Sequence, residues 1–419
     1  MSGPLSERTE PPRMSPALLA GGVVLVAINL RPAAASIGPV LDRIETGTGL
    51  SSGWAGALAT LPVLCFGLLA PLAPVLARRF GLRASIAGAM CALLAGMVIR
   101  LLPGVGFLFL GTGLAGASIA TGNVLVPVLV RRDFADRTGM AMALYSTSLI
   151  AFAALAAGVT VPVANALGGG WRPGLAVWAI PVGAAALAWA PALFRRDLRG
   201  ASVRSGRSTA PTAPTPSETS ATEVHTARTL LRKPLAWQVT LFFAIQSGGF
   251  YATLAWLPSI FRSHGASEAH AGLLLSLTMV VGLITALTVP GLANRGRNQR
   301  PLVIASCALT AAGLLGILLA PMTAPYLWAV LLGLGQNASF PLALMLIVLR
   351  GGSVATTEGL STLAQSVGYV LAAFAPLAVG ALHGLTHSWA PALILLLVLV
   401  APQLLFGLGA GGDRRLSGA

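Results

Sequence analysis

Charge is what this chain has least of. Only 9% of its 419 residues are Asp, Glu, Lys or Arg, and just 12 are acidic. A soluble globular domain carries about 25% charged residues. With 55% apolar residues, a further 49 glycines and a mean hydropathy of +0.81, this is neither a soluble globule, which could not cover so much apolar surface, nor a disordered chain, which needs the opposite bias. Its bulk solvent is lipid. Cysteine is nearly absent as well. Cys65, Cys91 and Cys307 lie inside apolar runs without metal or redox spacing and read as small core residues. The five histidines (225, 264, 270, 383 and 387) fall between apolar runs, and no cluster of carboxylates, nucleophiles or metal ligands lies within them. No cofactor, no metal and no enzymatic activity are therefore expected. The net charge of +15 forms no basic face interleaved with aromatics, so nucleic acid is not an expected partner.

What is present is length of apolar sequence. A spanning helix needs about 20 mostly apolar residues. Twelve such runs occur, over about 15–37, 53–76, 84–103, 106–130, 138–162, 171–194, 235–258, 269–292, 301–321, 324–349, 357–382 and 388–409. The first continues into Asn29-Leu30-Arg31-Pro32 and not a small-residue cleavage site, so it is expected to stay as helix one. An all-α membrane protein of twelve transmembrane helices follows, multi-pass in the inner (plasma) membrane. Placing both termini in the cytoplasm puts 22 of the 27 Lys and Arg on that side, the asymmetry that sets orientation. Arg43, Arg172, Arg262 and the helix-end Arg100 are left outside, and Arg31 lies within helix one.

The polar stretch 195–233, with Arg195-Arg196 at its start, Pro211 to Pro216 inside and Arg232-Lys233 at its end, reads as a flexible cytoplasmic linker. It divides residues 1–194 from 234–419, six runs from six. The two parts match at nearly constant offset. Ala27-Ile28-Asn29 pairs with Ala244-Ile245-Gln246 at 217, Pro74 to Arg79 with Pro290 to Arg295 at 216, and Trp171 to Leu175 with Trp389 to Leu393 at 218. Because six is even, both parts enter the membrane in the same sense. A parallel six-helix repeat about an axis along the membrane normal is the layout of major facilitator transporters.

The chain resembles that superfamily over essentially its whole length. The superfamily's loop between helices two and three normally carries a leading Gly and an acidic residue. Here the stretch Pro74-Val75-Leu76-Ala77-Arg78-Arg79-Phe80-Gly81 has neither, so any charge latch there must use other groups. More narrowly, Asn29-Leu30-Arg31-Pro32-Ala33, Ser36-Ile37-Gly38-Pro39, Leu61-Pro62-Val63-Leu64, Gly122-Asn123-Val124-Leu125 and Arg132-Asp133-Phe134 are similar to the cyanate permease and 2-nitroimidazole transporter family. That resemblance implies a monomeric transporter of small anionic or planar polar solutes working by alternating access. Export of neutral drug-like compounds is the alternative.

Arg31 is the one charge well inside a run. An arginine at a helix centre costs about 2.5–3.5 kcal/mol on insertion scales, so it needs a watery cavity or a partner. It either binds an acceptor-rich substrate or snorkels to Asp42 or Glu45. Asn29 and Gln246 sit at equivalent depths of helices one and seven. Thr362, Gln365, Ser366 and Tyr369 form a stripe at helical spacing, and Tyr145 with Ser148 occupies the matching place on helix five. Asn123, Gln336, Asn337, Tyr251 and Thr253 complete the polar candidates, each of which is a substrate contact or a helix-to-helix hydrogen bond. Phe250, Trp256 and Phe340 either stack on a planar solute or pack. Glu358 is expected to pair with Arg350 or with its own helix N-terminus.

Overall fold

A computed structural model describes residues 16–134, 137–194 and 230–416. Most of the expected linker, 195–229, and the chain ends lie outside them. Every described element is helical. Ten helical stretches are long and apolar enough to cross a membrane. The expected sixth run is in pieces: α9 (Trp171–Ala176), α10 (Ala179–Trp189) and α11 (Pro191–Phe194). Pro181 and Pro191 have no amide hydrogen to carry a ladder across these joints. The seventh is one helix, α12 (Pro234–Ser263), whose Gln238, Gln246 and Ser247 dilute an otherwise apolar run.

Helix one is longer than its apolar run and broken. α1 (Pro16–Leu30) stops at Arg31, α2 (Pro32–Ala35) restarts behind the proline, a 3-10 turn covers Gly38–Val40, and α3 (Leu41–Thr48) carries the chain on. Pro32 cannot donate to the preceding turn, and its ring crowds the carbonyl four residues back, so the helix yields there. Next come α4 (Ser52–Leu69), α5 (Ala73–Phe80), α6 (Leu82–Ile99), α7 (Val105–Asp133) and α8 (Thr138–Ala166). After α12 follow α13 (Glu268–Asn294), α14 (Arg300–Leu319), α15 (Pro325–Gly351), α16 (Val354–Thr386) and α17 (Ala390–Ala410).

Helices before residue 195 meet those after 229 along two main seams, α4 on α16 and α8 on α13. Backbone touches backbone at several points of these seams, among them Gly67 of α4 against Ser366 of α16, and the closest approach is at the end that holds Gly38. A Cβ on Gly38 would fall 2.1 Å from the Leu254 carbonyl oxygen, and one on Gly56 2.8 Å from that of Pro376. Small residues permit this approach, which drives association where lipid supplies no hydrophobic force. Charge ties the same end. Asp42 accepts from Ser259 and Arg262, Arg262 reaches Glu268 at 3.1 Å, and Arg43 pairs with Glu268 while donating to the Gly169 carbonyl at 2.8 Å.

The opposite end holds each set of helices to itself. Arg83, at the start of α6, pairs with Asp133, at the end of α7, at 2.9 Å. Asp133 also pairs with its neighbour Arg132, at 2.8 Å. Among the later helices, buried Arg350 bonds Gln299 and the Ala410 and Gly411 carbonyls. That corrects the expected Glu358–Arg350 pairing, since Arg350 is spent on the end of α17 and Glu358 is exposed on α16.

Candidate solute-binding site

The break in helix one delivers Arg31 to a cavity of about 300 Å³ between the two sets of helices. α8 contributes Ser146, Leu149, Ile150 and Ala153 to its wall, and α12 contributes Gln246, Ser247, Phe250 and Tyr251. α13 adds Met279 and Pro290, and α15 adds Asn337, Phe340 and Leu344. The cavity runs from Arg31 toward the ends of α13 and α15 that lie away from the tight seam.

Among the described residues Arg31 is the only charged one on this wall. Among the described residues no carboxylate pairs with it. Its neighbours are phenols: Tyr251, Tyr145 and Tyr369 all lie within electrostatic range. Neither partner of the snorkelling alternative is met: Asp42 is taken by Ser259 and Arg262, and among the described residues no ion pair joins Arg31 to Glu45, whose buried Oε1 has no hydrogen-bond partner. A guanidinium without a protein counter-ion, facing a cavity and flanked by hydroxyls, offers a fork of donors to an anion or a strong acceptor.

Nine of the polar residues singled out from sequence were the leading candidates for solute contact, Arg31, Asn29, Asn123, Tyr145, Gln246, Tyr251, Asn337, Gln365 and Tyr369, and four of them line the cavity: Arg31, Gln246, Tyr251 and Asn337. Gln246 spends its amide nitrogen on the Ser247 hydroxyl at 2.6 Å and leaves its buried Oε1 without a partner. Asn337 donates to the Thr278 and Gly333 carbonyls at 2.9 and 2.8 Å, which fixes it to α13. Tyr145 and Asn123 stand behind the wall, joined at 3.4 Å. Tyr369 belongs to an aromatic group with Phe66, Phe243 and Tyr251, its ring centroid 5.1 Å from that of Phe243.

Two of the nine point elsewhere. Asn29 faces α10, donating to the Pro181 carbonyl at 3.1 Å, on the side of helix one away from the cavity; residues two apart on a helix diverge by about 200°. Gln365 donates to Ser361 within α16 at 2.8 Å. Of the candidate stacking rings, Phe250 and Phe340 reach the cavity, whereas Trp256 is buried with its indole on the Pro376 carbonyl. Gln336 bonds Thr253 at 3.0 Å.

Sequence reasoning missed Ser146 and Ser247, ordinary polar residues with no spacing to mark them. It also misplaced Arg100. Read as an outer helix end, Arg100 is wholly buried, with Nη1 donating to the Ala33 carbonyl at 2.8 Å and Nη2 to that of Leu175 at 3.5 Å.

A multi-pass helical membrane protein with a cation-lined cavity between two sets of helices has the form of a solute transporter, and the wider comparisons agree. The Major Facilitator Superfamily family model matches residues 19–376, and the chain belongs to that superfamily. It is 38% identical over 394 residues to "Uncharacterized transporter YycB" of Bacillus subtilis (strain 168), covering 94% of this chain and 93% of that one. It is 36% identical to the "2-nitroimidazole transporter" of Escherichia coli (strain K12), over 95% of this chain and 96% of the relative. With the "Cyanate transport protein CynX" of the same organism it shares 30% identity, over 88% of this chain and 90% of the relative. Among solved structures, a bacterial homologue of the lysosomal transporter Spinster, inward-facing and occupied, superposes with a TM-score of 0.74 over 97% of this chain and 100% of its own, at 14% identity. The protein is thus a small-solute transporter of the cyanate and nitroimidazole transporter group, and not an enzyme.

Proposed function

We propose that this transporter moves a small anionic or planar polar solute, cyanate-like or nitroimidazole-like, across the inner membrane of a bacterium by alternating access. The observation that carries the reading is the Arg31 guanidinium, unpaired by any described carboxylate and facing the central cavity. The relatives' names, a cyanate transporter and a 2-nitroimidazole transporter, support the same class of solute. In this reading the anion lies between Arg31 and Tyr251, its second face against Phe250 or Phe340, with the Gln246 oxygen available to any N–H the solute carries. Tyr145, Asn123, Tyr369, Gln365 and Asn29 then act behind the wall as supports.

The reading takes twelve spanning segments in two six-helix halves, 1–194 and 234–419, joined by the 195–233 linker, with both termini cytoplasmic. The Lys and Arg distribution supports that orientation. The seam of Gly38, Gly56, Asp42 and Arg262 then shuts the outer end, and the cavity opens to the cytoplasm. The transporter works as a monomer, rocking one half on the other.

Ligands that bind only the folded protein raise its melting temperature. Purified protein is expected to be stabilised by cyanate or nitrate, and the stabilisation to vanish in Arg31→Gln. Stabilisation by neutral ring compounds alone, unchanged in that variant, would overturn the anion reading.

A further inference from the structure

We propose that Arg100 is a positioning residue that locks the break in helix one and thereby holds Arg31 in the cavity. The inference rests on the reading of Arg31 as the solute-binding cation. The break leaves backbone acceptors to be satisfied. Within it, the Ala34 and Ala35 amides both turn back to the Arg31 carbonyl, Ser36 to Pro32 and Ile37 to Ala34. The carbonyl these bonds pass over is that of Ala33, and it is there that Arg100 Nη1 donates, at 2.8 Å.

The arrangement is costly unless it serves the break. Arg100 is wholly buried, its Nε has no partner, and among the described residues no carboxylate neutralises it. An isolated charge in such surroundings is strongly disfavoured, and an apolar side chain would end α6 as well. What only a long cationic donor can do from this place is span three elements. It caps the end of α6, reaches the Leu175 carbonyl on α9 at 3.5 Å, and fixes the carbonyl two residues beyond Arg31. The space is prepared on α7, where a Cβ on Gly111 would fall 2.4 Å from the Arg100 amide nitrogen. Because Arg31 is the last residue before the proline, the pitch of the following turn decides where its guanidinium points. A donor that fixes that turn fixes the aim, and displacement of a binding group by about 1 Å is enough to cost up to a hundredfold.

The test uses full-length protein in detergent, checked for a single gel-filtration peak, in four forms: wild type, Arg31→Gln, Arg100→Gln and the double variant. Arg100→Lys keeps the charge and one donor and serves should Arg100→Gln fail to fold. Two readouts are taken: cyanate affinity, and amide hydrogen exchange in peptides covering residues 30–41. Arg100→Gln is expected to weaken cyanate about tenfold when Arg31 is present and less than about twofold when it is absent, the non-additivity of coupled groups. Exchange should rise in 30–41 and not along α7. Exchange unchanged in 30–41 would overturn the proposal. So would raised exchange with unchanged cyanate affinity, or an equal loss of affinity in both backgrounds, which would make Arg100 a general stabiliser. Should wild type itself ignore cyanate, the solute reading fails, and the exchange experiment still decides whether Arg100 holds the break.

Discussion

Helix one and its repeat mate α12 begin from matching sequence and end as opposite devices. Ala27-Ile28-Asn29 and Ala244-Ile245-Gln246 align at an offset of 217, which places Gly248 opposite Arg31. The first helix snaps at Pro32 and presents a cation, whereas α12 runs unbroken for 30 residues and presents Gln246, Ser247 and Tyr251. One repeat supplies charge through a distorted backbone, and the other supplies neutral polarity and rings from a regular one. The same divergence recurs at the open end. The offset of 216 takes Arg83 to Gln299, and Asp133 and Arg350 both stand in the last turn of corresponding helices, α7 and α15, so an ion pair in one repeat has as its counterpart an arginine on an amide and two carbonyls in the other. The lesson is that a duplicated fold keeps where polar groups meet and lets the chemistry of the meeting change.

The division of labour breaks most sharply at Arg31. Arg31→Gln is expected to weaken anion binding by about a hundredfold, the scale of a lost charged hydrogen bond in a dry site, whereas Gln246→Leu should cost about fivefold, a neutral bond; titration of both variants with cyanate measures the contrast. At the open end the buried arginine outweighs the exposed pair. Arg350→Gln should lower unfolding stability by about 3 kcal/mol, because the Ala410 and Gly411 carbonyls lose their donor. Arg83→Gln, whose arginine is 31% exposed, should cost less than about 1 kcal/mol. Denaturation of each variant under one set of conditions checks the order. The mildest change is at the closed end. Asp42→Asn removes the charge and one of the two acceptor oxygens that hold Ser259 and Arg262, and a cysteine at Ala255 in a cysteine-free background should then label about two- to fivefold faster.

Much of this was legible in the chain. Twelve apolar runs and three matching fragments give the repeat, and a single arginine inside a run gives the cation, because lipid makes each such residue conspicuous. The facing of Asn29 was not legible: whether a polar residue looks into a cavity or at α10 depends on the phase of a helix that Pro32 resets. Arg100 was hidden for a related reason. A residue at the end of an apolar run reads as emerging into water, and only the fold of α2 and α9 over that end buries it. The Arg350 node depends on the last turn of α17 returning to the start of α14, a contact between segments more than a hundred residues apart.

The glycine seam also sets an energetic ceiling. A solute of three heavy atoms brings at most about 4.5 kcal/mol of binding energy, at the upper limit of about 1.5 kcal/mol per atom. Driving a population from 1:99 to 99:1 takes about 5.5 kcal/mol of differential affinity. If the solute is as small as cyanate, as proposed above, the carrier must keep its alternative states nearly level. Where Gly38 meets the Leu254 carbonyl and Gly56 that of Pro376, no bulky side chain has to be withdrawn when the halves part. In that reading, parting the seam costs its glycine contacts and the Asp42 and Glu268 ion pairs, and the whole cost has to stay within what a few atoms can tip.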